Sequence, residues 1–203
     1  MKNISKIILL LVLTGFSLLS EGQAFELSKT GTAVVIKGTS SLHDWEMNLK
    51  AFNSGFQLNQ EGSSIKALEN VTFSCKATDI KSEYSLMDKK TYDALKADDF
   101  PEIKFSSISS TELVADGRKI TGILEGKLYV AGEMQDVTIP FKGIFTDSKT
   151  INIIASTDLT MSSFNITPPT AMLGALKTGD KISVSFSLQF VQRMQQNDHI
   201  SDN

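Results

Sequence analysis

The sequence is poor in the residues on which most metal and catalytic sites depend. Its 203 residues include one cysteine and two histidines. Cys75 has no partner for a disulfide within the chain, and no histidine pair or cysteine cluster occurs at metal-ligand spacing. An HExxH motif, a nucleophile elbow and a glycine-rich phosphate loop are also missing from the sequence. We therefore expect no metal and no cofactor, and we predict that Cys75 is an inert thiol on the inner face of a strand.

One short stretch has the residue types of a catalytic triad. His43 and Asp44 follow the hydroxyls of Ser40 and Ser41. Adjacent residues of a strand point to opposite faces, so these side chains would not assemble around one reacting atom. Hydrogen bonding of His43 and Asp44 to the backbone where a strand begins is the favoured interpretation. The chain is therefore predicted not to be an enzyme.

Charge is thinly spread along the chain. There are 20 Lys and Arg residues against 23 Asp and Glu residues, a formal net charge of −3. The basic residues form no stripe or cluster, so the sequence lacks the electrostatic footprint of a nucleic-acid-binding protein. We expect no nucleic acid among its partners.

The N-terminus has the three parts of an export signal. Two lysines precede an apolar run over residues 7–19, and the tripeptide Gly22-Gln23-Ala24 has small residues at its first and third positions. The run is shorter than the ~20 residues that a membrane anchor needs to span a bilayer. We therefore predict a signal peptide over residues 1–24, cleavage near Ala24, and a mature chain that starts at Phe25 in the periplasm or outside the cell, without a stable membrane span.

Two long runs of alternating apolar and polar residues between 118 and 145 predict a central β-hairpin. Its turn is expected over Gly132–Asp136. Gly122 and Gly126 fall on the inward face of the first run, as in a strongly curved sheet, and we expect them to leave space unfilled in the interior. A curved antiparallel sheet of long strands tends to close into a barrel.

The remaining strands are predicted from further alternating runs, at residues 25–39, 43–52, 56–58, 63–77, 103–113, 150–159 and 181–191. A change of period over residues 87–97 predicts one amphipathic helix, which a capping box from Ser85 to Asp88 would open. Residues 160–180 read as a long loop that is unusually rich in apolar side chains. The predicted fold is all-β, an antiparallel barrel of about eight strands with one helix.

Four stretches in order resemble the YceI-like family, whose members are exported lipocalin-like barrels regarded as binders of polyisoprenoids or amphiphiles. They are Gly38 to Trp45, Met87 to Lys96 with Phe100 to Phe105, Leu124 to Gly132 with Val137 to Pro140, and Gly179 to Ile182. The chain departs from the family in two places. Its helix lacks the Arg-Asp-x-His-Leu motif that is common in the family. Phe164-Asn165 stands where Phe-Gly is common, but asparagine tolerates a left-handed backbone well.

The resemblance implies a lipocalin-like barrel over residues 25–191, followed by a polar tail over 192–203 that we expect to be disordered. It also implies a polyisoprenoid, isoprenoid quinone or fatty-acyl ligand in the lumen. Periodicity alone leaves open whether inward side chains line a ligand pocket or pack a filled core. A ligand-free barrel with a structural or protein-interaction role is the alternative, and the oligomeric state stays open, a homodimer included.

The predicted ligand-binding residues come from inward-facing strand positions and from the helix and loop expected to cover one end of the lumen. They are Val71, Phe73, Met87, Leu95, Ile103, Phe105, Leu124, Leu128, Phe164, Met172, Leu173, Val184, Phe186 and Leu188.

Overall fold

The computed structural model describes residues 22–193, apart from the side chains of Ala171 and Met172. Most of the predicted signal peptide and the chain beyond residue 193 lie outside these residues. The described part contains twelve strands and one α-helix. They are β1 (Gln23–Leu27), β2 (Ala33–Ser40), β3 (Trp45–Leu49), β4 (Asn53–Glu61), β5 (Ser64–Lys76), β6 (Ile80–Lys81), α1 (Ser85–Ala94), β7 (Glu102–Asp116), β8 (Lys119–Val130), β9 (Glu133–Phe145), β10 (Thr150–Thr160), β11 (Thr170–Ala171) and β12 (Leu176–Gln192).

Eight strands close on themselves as an antiparallel barrel. Their order around the barrel is β1, β4, β5, β7, β8, β9, β10 and β12, and β12 pairs again with β1. Closure leaves these strands without a free edge over the paired length, which removes a common route to aggregation. The prediction of an all-β antiparallel barrel with one amphipathic helix is confirmed.

The other strands extend the barrel wall beyond its closed section. One edge of β12 pairs with β1 near Phe190 and with β2 near Val184, so β1 and β2 lie end to end along the same partner. The single strand predicted over residues 25–39 is therefore wrong in detail. The chain leaves the sheet after Leu27, passes Gly31 with a φ of 73°, and returns at Ala33.

The central hairpin is present with continuous register from Lys119 opposite Ile144 to Val130 opposite Glu133. Its turn is shorter than predicted, because residues 133–136 belong to β9. The two turn residues, Ala131 and Gly132, have φ values of 52° and 89°. Positive φ at both positions is typical of a type I′ turn, whose twist matches that of long paired strands.

Helix α1 follows the predicted segment but begins and ends differently. Ser85 is its first residue, and the N-cap residue before it makes no side-chain hydrogen bond to the helix. Asp88 accepts hydrogen bonds from the backbone nitrogen and hydroxyl of Ser82, at 2.7 and 2.8 Å, so the predicted capping box does not form. The helix ends at Ala94, and Lys96 then takes a left-handed φ of 51°. Within residues 22–193, no helix is long and apolar enough to cross a membrane.

The predicted loop over residues 160–180 is mostly ordered structure. A 3₁₀ turn spans Met161–Phe164, and β12 begins at Leu176, earlier than predicted. Asp180 joins the two parts, because its carboxylate accepts hydrogen bonds from the backbone nitrogen of Ser162 at 2.8 Å and from its hydroxyl at 2.6 Å. The short strand predicted over 56–58 is likewise longer and spans all of β4.

One end of the barrel is plugged by aromatic and aliphatic side chains. Phe25 stacks on Phe56 with ring centroids 5.0 Å apart, and Phe190 meets Phe56 edge-on at 5.1 Å. Ile120 and Ile151 are almost fully buried in the same cluster. Tight packing at this end stabilises the closed barrel.

Candidate functional site

The barrel encloses an apolar cavity of about 1150 Å³. Its deep end rests on the aromatic plug, with Phe56 and Phe190 at its floor. Its other end reaches solvent between α1, the β2–β3 loop and the start of β12, where exposed residues such as His43 and Tyr84 line it. The inner faces of the strands are therefore not packed together across the barrel.

Most of the predicted ligand-binding residues line this cavity. They are Val71, Phe73, Met87, Leu95, Ile103, Phe105, Leu124, Leu128, Phe164, Val184, Phe186 and Leu188. They come from β5, β7, β8 and β12, from α1 and its C-cap residue Leu95, and from the 3₁₀ turn. Their common position supports the face assignment, and their role in binding stays a prediction.

Of the two other predicted residues, only Leu173 has a described side chain. The side chain of Met172 lies outside the described part of the structure. Leu173 points away from the barrel and is fully exposed, at 109% of its reference surface. Its φ of 56° and the φ of 89° at Gly174 reverse the chain ahead of β12, which turns the side chain outward. The prediction that Leu173 covers the lumen is wrong.

The inward glycines of β8 do not create the cavity. A Cβ atom on Gly126 would lie 2.6 Å from the ring of Phe105, and one on Gly122 would lie 3.0 Å from the ring of Phe141. Both glycines thus make room for a neighbouring phenylalanine, and the expectation that they leave unfilled space is wrong. The cavity arises because the barrel is wider than its inward side chains are long.

Helix α1 lies against the mouth of the cavity. Met87 and Leu95, both predicted from the sequence, line it together with Thr91. The helix is tied to the barrel because the Tyr92 hydroxyl lies 3.0 Å from the carbonyl oxygens of both Thr78 and Ile80. In the described sheet β6 pairs only with β3, so no further strand covers its outer edge.

Polar side chains concentrate at the mouth. Asp44, Glu83 and Lys90 line the cavity there, whereas the deep wall is formed by residues such as Leu68 and Leu188. Lys90 is not among the binding residues predicted from the sequence. Its spacing of three residues from Met87 is the signal that could have placed it at the mouth. The cavity is therefore apolar inside and carries charged side chains at its mouth.

His43 is held by the backbone, as predicted. Its Nδ1 lies 2.7 Å from the carbonyl oxygen of Asp44, and the Ser40 hydroxyl donates to the His43 carbonyl oxygen at 2.7 Å. The serine hydroxyl and the imidazole therefore make separate backbone contacts and do not bond to each other in this arrangement. These hydrogen bonds shape the loop that borders the mouth.

Cys75 lines the cavity wall on β5 and is partly buried. Burial, with a smaller contribution from the charge of Asp79, raises the pKa of its thiol to about 12. The thiol is therefore protonated at neutral pH, and a thiol is a poor nucleophile compared with a thiolate. This position agrees with the predicted inert cysteine.

Comparison with known proteins shows one family and one fold. The YceI-like domain model matches residues 24–190. A polyisoprenoid-binding domain from Saccharophagus degradans, implicated in plant cell wall breakdown, has a TM-score of 0.68 at 10% identity, over 84% of this chain and 99% of that chain. BcnA of Burkholderia cenocepacia has a TM-score of 0.59 at 18% identity, over 78% and 95%. The Campylobacter jejuni YCEI protein has a TM-score of 0.56 at 17% identity, over 73% and 85%. No curated protein matches the chain significantly.

Proposed function

The chain belongs to the YceI-like family, and we propose that it is an exported, non-catalytic binding protein that holds a long apolar or amphiphilic molecule in its lumen. The observation that carries the proposal is the apolar cavity of about 1150 Å³. The cavity reaches solvent at its mouth, so its apolar wall stays in contact with water unless an apolar molecule covers it.

A lipid chain suits this lumen better than water does. Water enters a cavity readily when polar groups offer it hydrogen bonds, and the deep wall around Leu68, Phe186 and Leu188 offers none from its side chains. Each methylene removed from water by entering the lumen contributes about 0.8 kcal/mol. The volume also exceeds the roughly 300–1,000 Å³ of common small-molecule pockets, which favours a long ligand.

The ligand class follows from the shape and polarity of the site. A polyisoprenoid, an isoprenoid quinone or a fatty-acyl lipid has a long tail for the apolar interior and a small polar end for the charged mouth near Glu83 and Lys90. The fold likeness to the Saccharophagus degradans polyisoprenoid-binding domain supports this class. We place the tail toward the aromatic plug and the polar end beside α1.

The test is organic extraction of the gently purified protein, followed by mass spectrometry of the extract. We expect the same lipid in repeated preparations. Ala155→Phe adds a ring inside the lumen and should reduce the extracted lipid, because Ala155 lines the cavity. Ile154→Phe, one residue away on the exposed outer face, is the matched control and should retain the lipid. Clean extracts from the unmodified protein would favour a ligand-free structural or interaction barrel.

Export rests on the N-terminal sequence and is tested separately. Cleavage after Ala24 would remove Gln23 and Ala24, which pair with Leu58 and Gln57 in β4. Phe25, Glu26 and Leu27 would remain to close the barrel against β12. The intact mass of the exported protein should correspond to a chain that begins at Phe25. A mature species that retains Met1 would contradict both cleavage and the proposed export route.

A further inference from the structure

Four large apolar side chains project into solvent around the mouth of the cavity. Leu42 is 71% exposed, Tyr84 67%, Leu86 64% and Leu173 109%. They lie on three separate segments, the β2–β3 loop, the start of α1 and the connection between β11 and β12. We call these four residues the apolar rim. Exposed apolar groups gathered at one functional opening indicate an interaction surface.

The rim is tied to the barrel by hydrogen bonds. Ser41, beside Leu42, donates its backbone N–H to the Lys177 carbonyl oxygen at 2.9 Å, and its hydroxyl accepts from the Lys177 N–H at 3.1 Å. At the other side of the mouth, Asp88 holds the segment before α1 through Ser82. Tyr84 and Leu86 also line the cavity, so this part of the rim is continuous with the apolar lumen.

We propose that the apolar rim inserts into the surface of a lipid bilayer and that the ligand passes between bilayer and lumen through this contact. The inference rests on the proposed function. A long apolar chain that crosses water exposes its whole length. Each exposed methylene lowers the partition of the chain into water about fourfold. A mouth seated in the bilayer avoids that exposure. Tyr84 suits the interface, since its ring is apolar and its hydroxyl can stay in water.

Charge near the rim favours insertion over electrostatic attraction. The charged residues on or next to the three segments are Asp44, Glu46, Glu83, Asp88, Lys89, Lys90 and Lys177. Acidic and basic groups nearly balance, so the rim is not a polybasic patch for anionic lipid. Binding should therefore occur on zwitterionic vesicles and change little with added salt.

The test is flotation of the exported protein with phosphatidylcholine vesicles, with and without added anionic lipid. The variant Leu42→Asn/Leu173→Asn removes two rim residues that do not line the cavity, and asparagine suits the left-handed backbone at Leu173. We expect its vesicle binding to fall about tenfold for each leucine removed. The control Ile108→Thr/Ile154→Thr removes similarly exposed side chains, 67% and 63%, from the outer barrel wall and should bind as the unmodified protein does.

Melting curves and lipid extraction on the same samples separate the two proposals. A rim variant that keeps its melting transition and its extracted lipid but loses vesicle binding supports the rim. The rim proposal is overturned if the unmodified protein does not float, if the rim variant floats equally well, if binding requires anionic lipid, or if the rim mediates self-association that the variant abolishes. Vesicle binding without extractable lipid in any preparation would instead overturn the proposed function.

Discussion

Two isoleucines on one strand distinguish the filled end of the barrel from the hollow end. Ile151 and Ile153 both point inward from β10, two residues apart. Ile151 is fully buried in the plug, where a Cβ atom on Gly143 would lie 3.0 Å from it and 2.7 Å from Ile120. Ile153 is 8% exposed and lines the cavity. The same substitution, isoleucine to alanine, therefore removes the same atoms from two different environments.

The expected costs differ because only one site gains a new void. Ile→Ala in a core costs about 2–5 kcal/mol, the sum of a transfer term and a cavity term. The transfer term for the lost carbons is about 2 kcal/mol at each site, from ~0.8 kcal/mol per methylene. At Ile151 the neighbours are locked in the plug and a cavity remains, so we expect about 4 kcal/mol. At Ile153 the lost volume joins an existing space, so we expect about 2 kcal/mol.

Urea unfolding at matched lipid content measures both losses. The midpoint multiplied by the slope gives the free energy of unfolding, provided the slope is unchanged by the substitution. A difference of about 2 kcal/mol corresponds to a gap of roughly 4–8 °C in melting temperature for a chain of this size. Ile153→Ala should in addition lower the extracted lipid, whereas Ile151→Ala should not. Equal losses of stability in the two variants would show that the lumen is packed like the plug and would refute the reasoning.

Three further predictions concern single side chains. Because the pKa of Cys75 is raised to about 12, its thiol should resist alkylation at neutral pH in the folded protein and react once urea unfolds it; rapid labelling of the native state would contradict this environment. Hydrogen bonds from Ser162 lower the pKa of Asp180 below 3.8, so its stabilising contribution is complete above that pH and is lost as pH falls through the folded-state pKa. The urea midpoint should fall more steeply toward about pH 3 in the unmodified protein than in Asp180→Asn, and parallel profiles would count against the link. Asn165 has a φ of 51°, so Asn165→Val should lower the free energy of unfolding by on the order of 1–2 kcal/mol. Asn165→Gly loses only a hydrogen bond to Glu133 and should lower it less. The reverse order in urea unfolding would contradict the role of backbone strain.

The strand pattern was readable from the sequence because it is local. Successive residues of β8 and β9 point alternately into the barrel and toward solvent, and this period of two is set by the pleat of the strand itself. The inward positions of Leu124, Phe186 and Leu188 followed directly from it. The amphipathic helix was also readable, since the apolar face from Met87 to Leu95 repeats at helical spacing.

Boundaries and caps were less readable because they depend on competing partners. The sequence predicts that Asp88 forms a capping box with Ser85. In the structure its carboxylate accepts a hydrogen bond from the backbone nitrogen of Ser82 instead. The turn of the central hairpin consists of only Ala131 and Gly132, because Glu133 already pairs with Val130 of β8. Such choices are decided by the sum of many neighbouring contacts, to which a few residues of sequence contribute little.

The sequence by itself determined that the chain makes long curved antiparallel strands with one apolar face, and that a helix and an apolar segment accompany them. Only the tertiary structure decided that this face encloses a space. Phe56 and Ile151 fill one end while Val184 and Phe186, with the same alternation, line a cavity at the other. Alternation reports which way a side chain points, whereas the distance to the opposite wall depends on how many strands close the barrel and how they tilt. Leu173 differs from its predicted position for the same reason, because a left-handed turn that brings β11 against β12 set its direction.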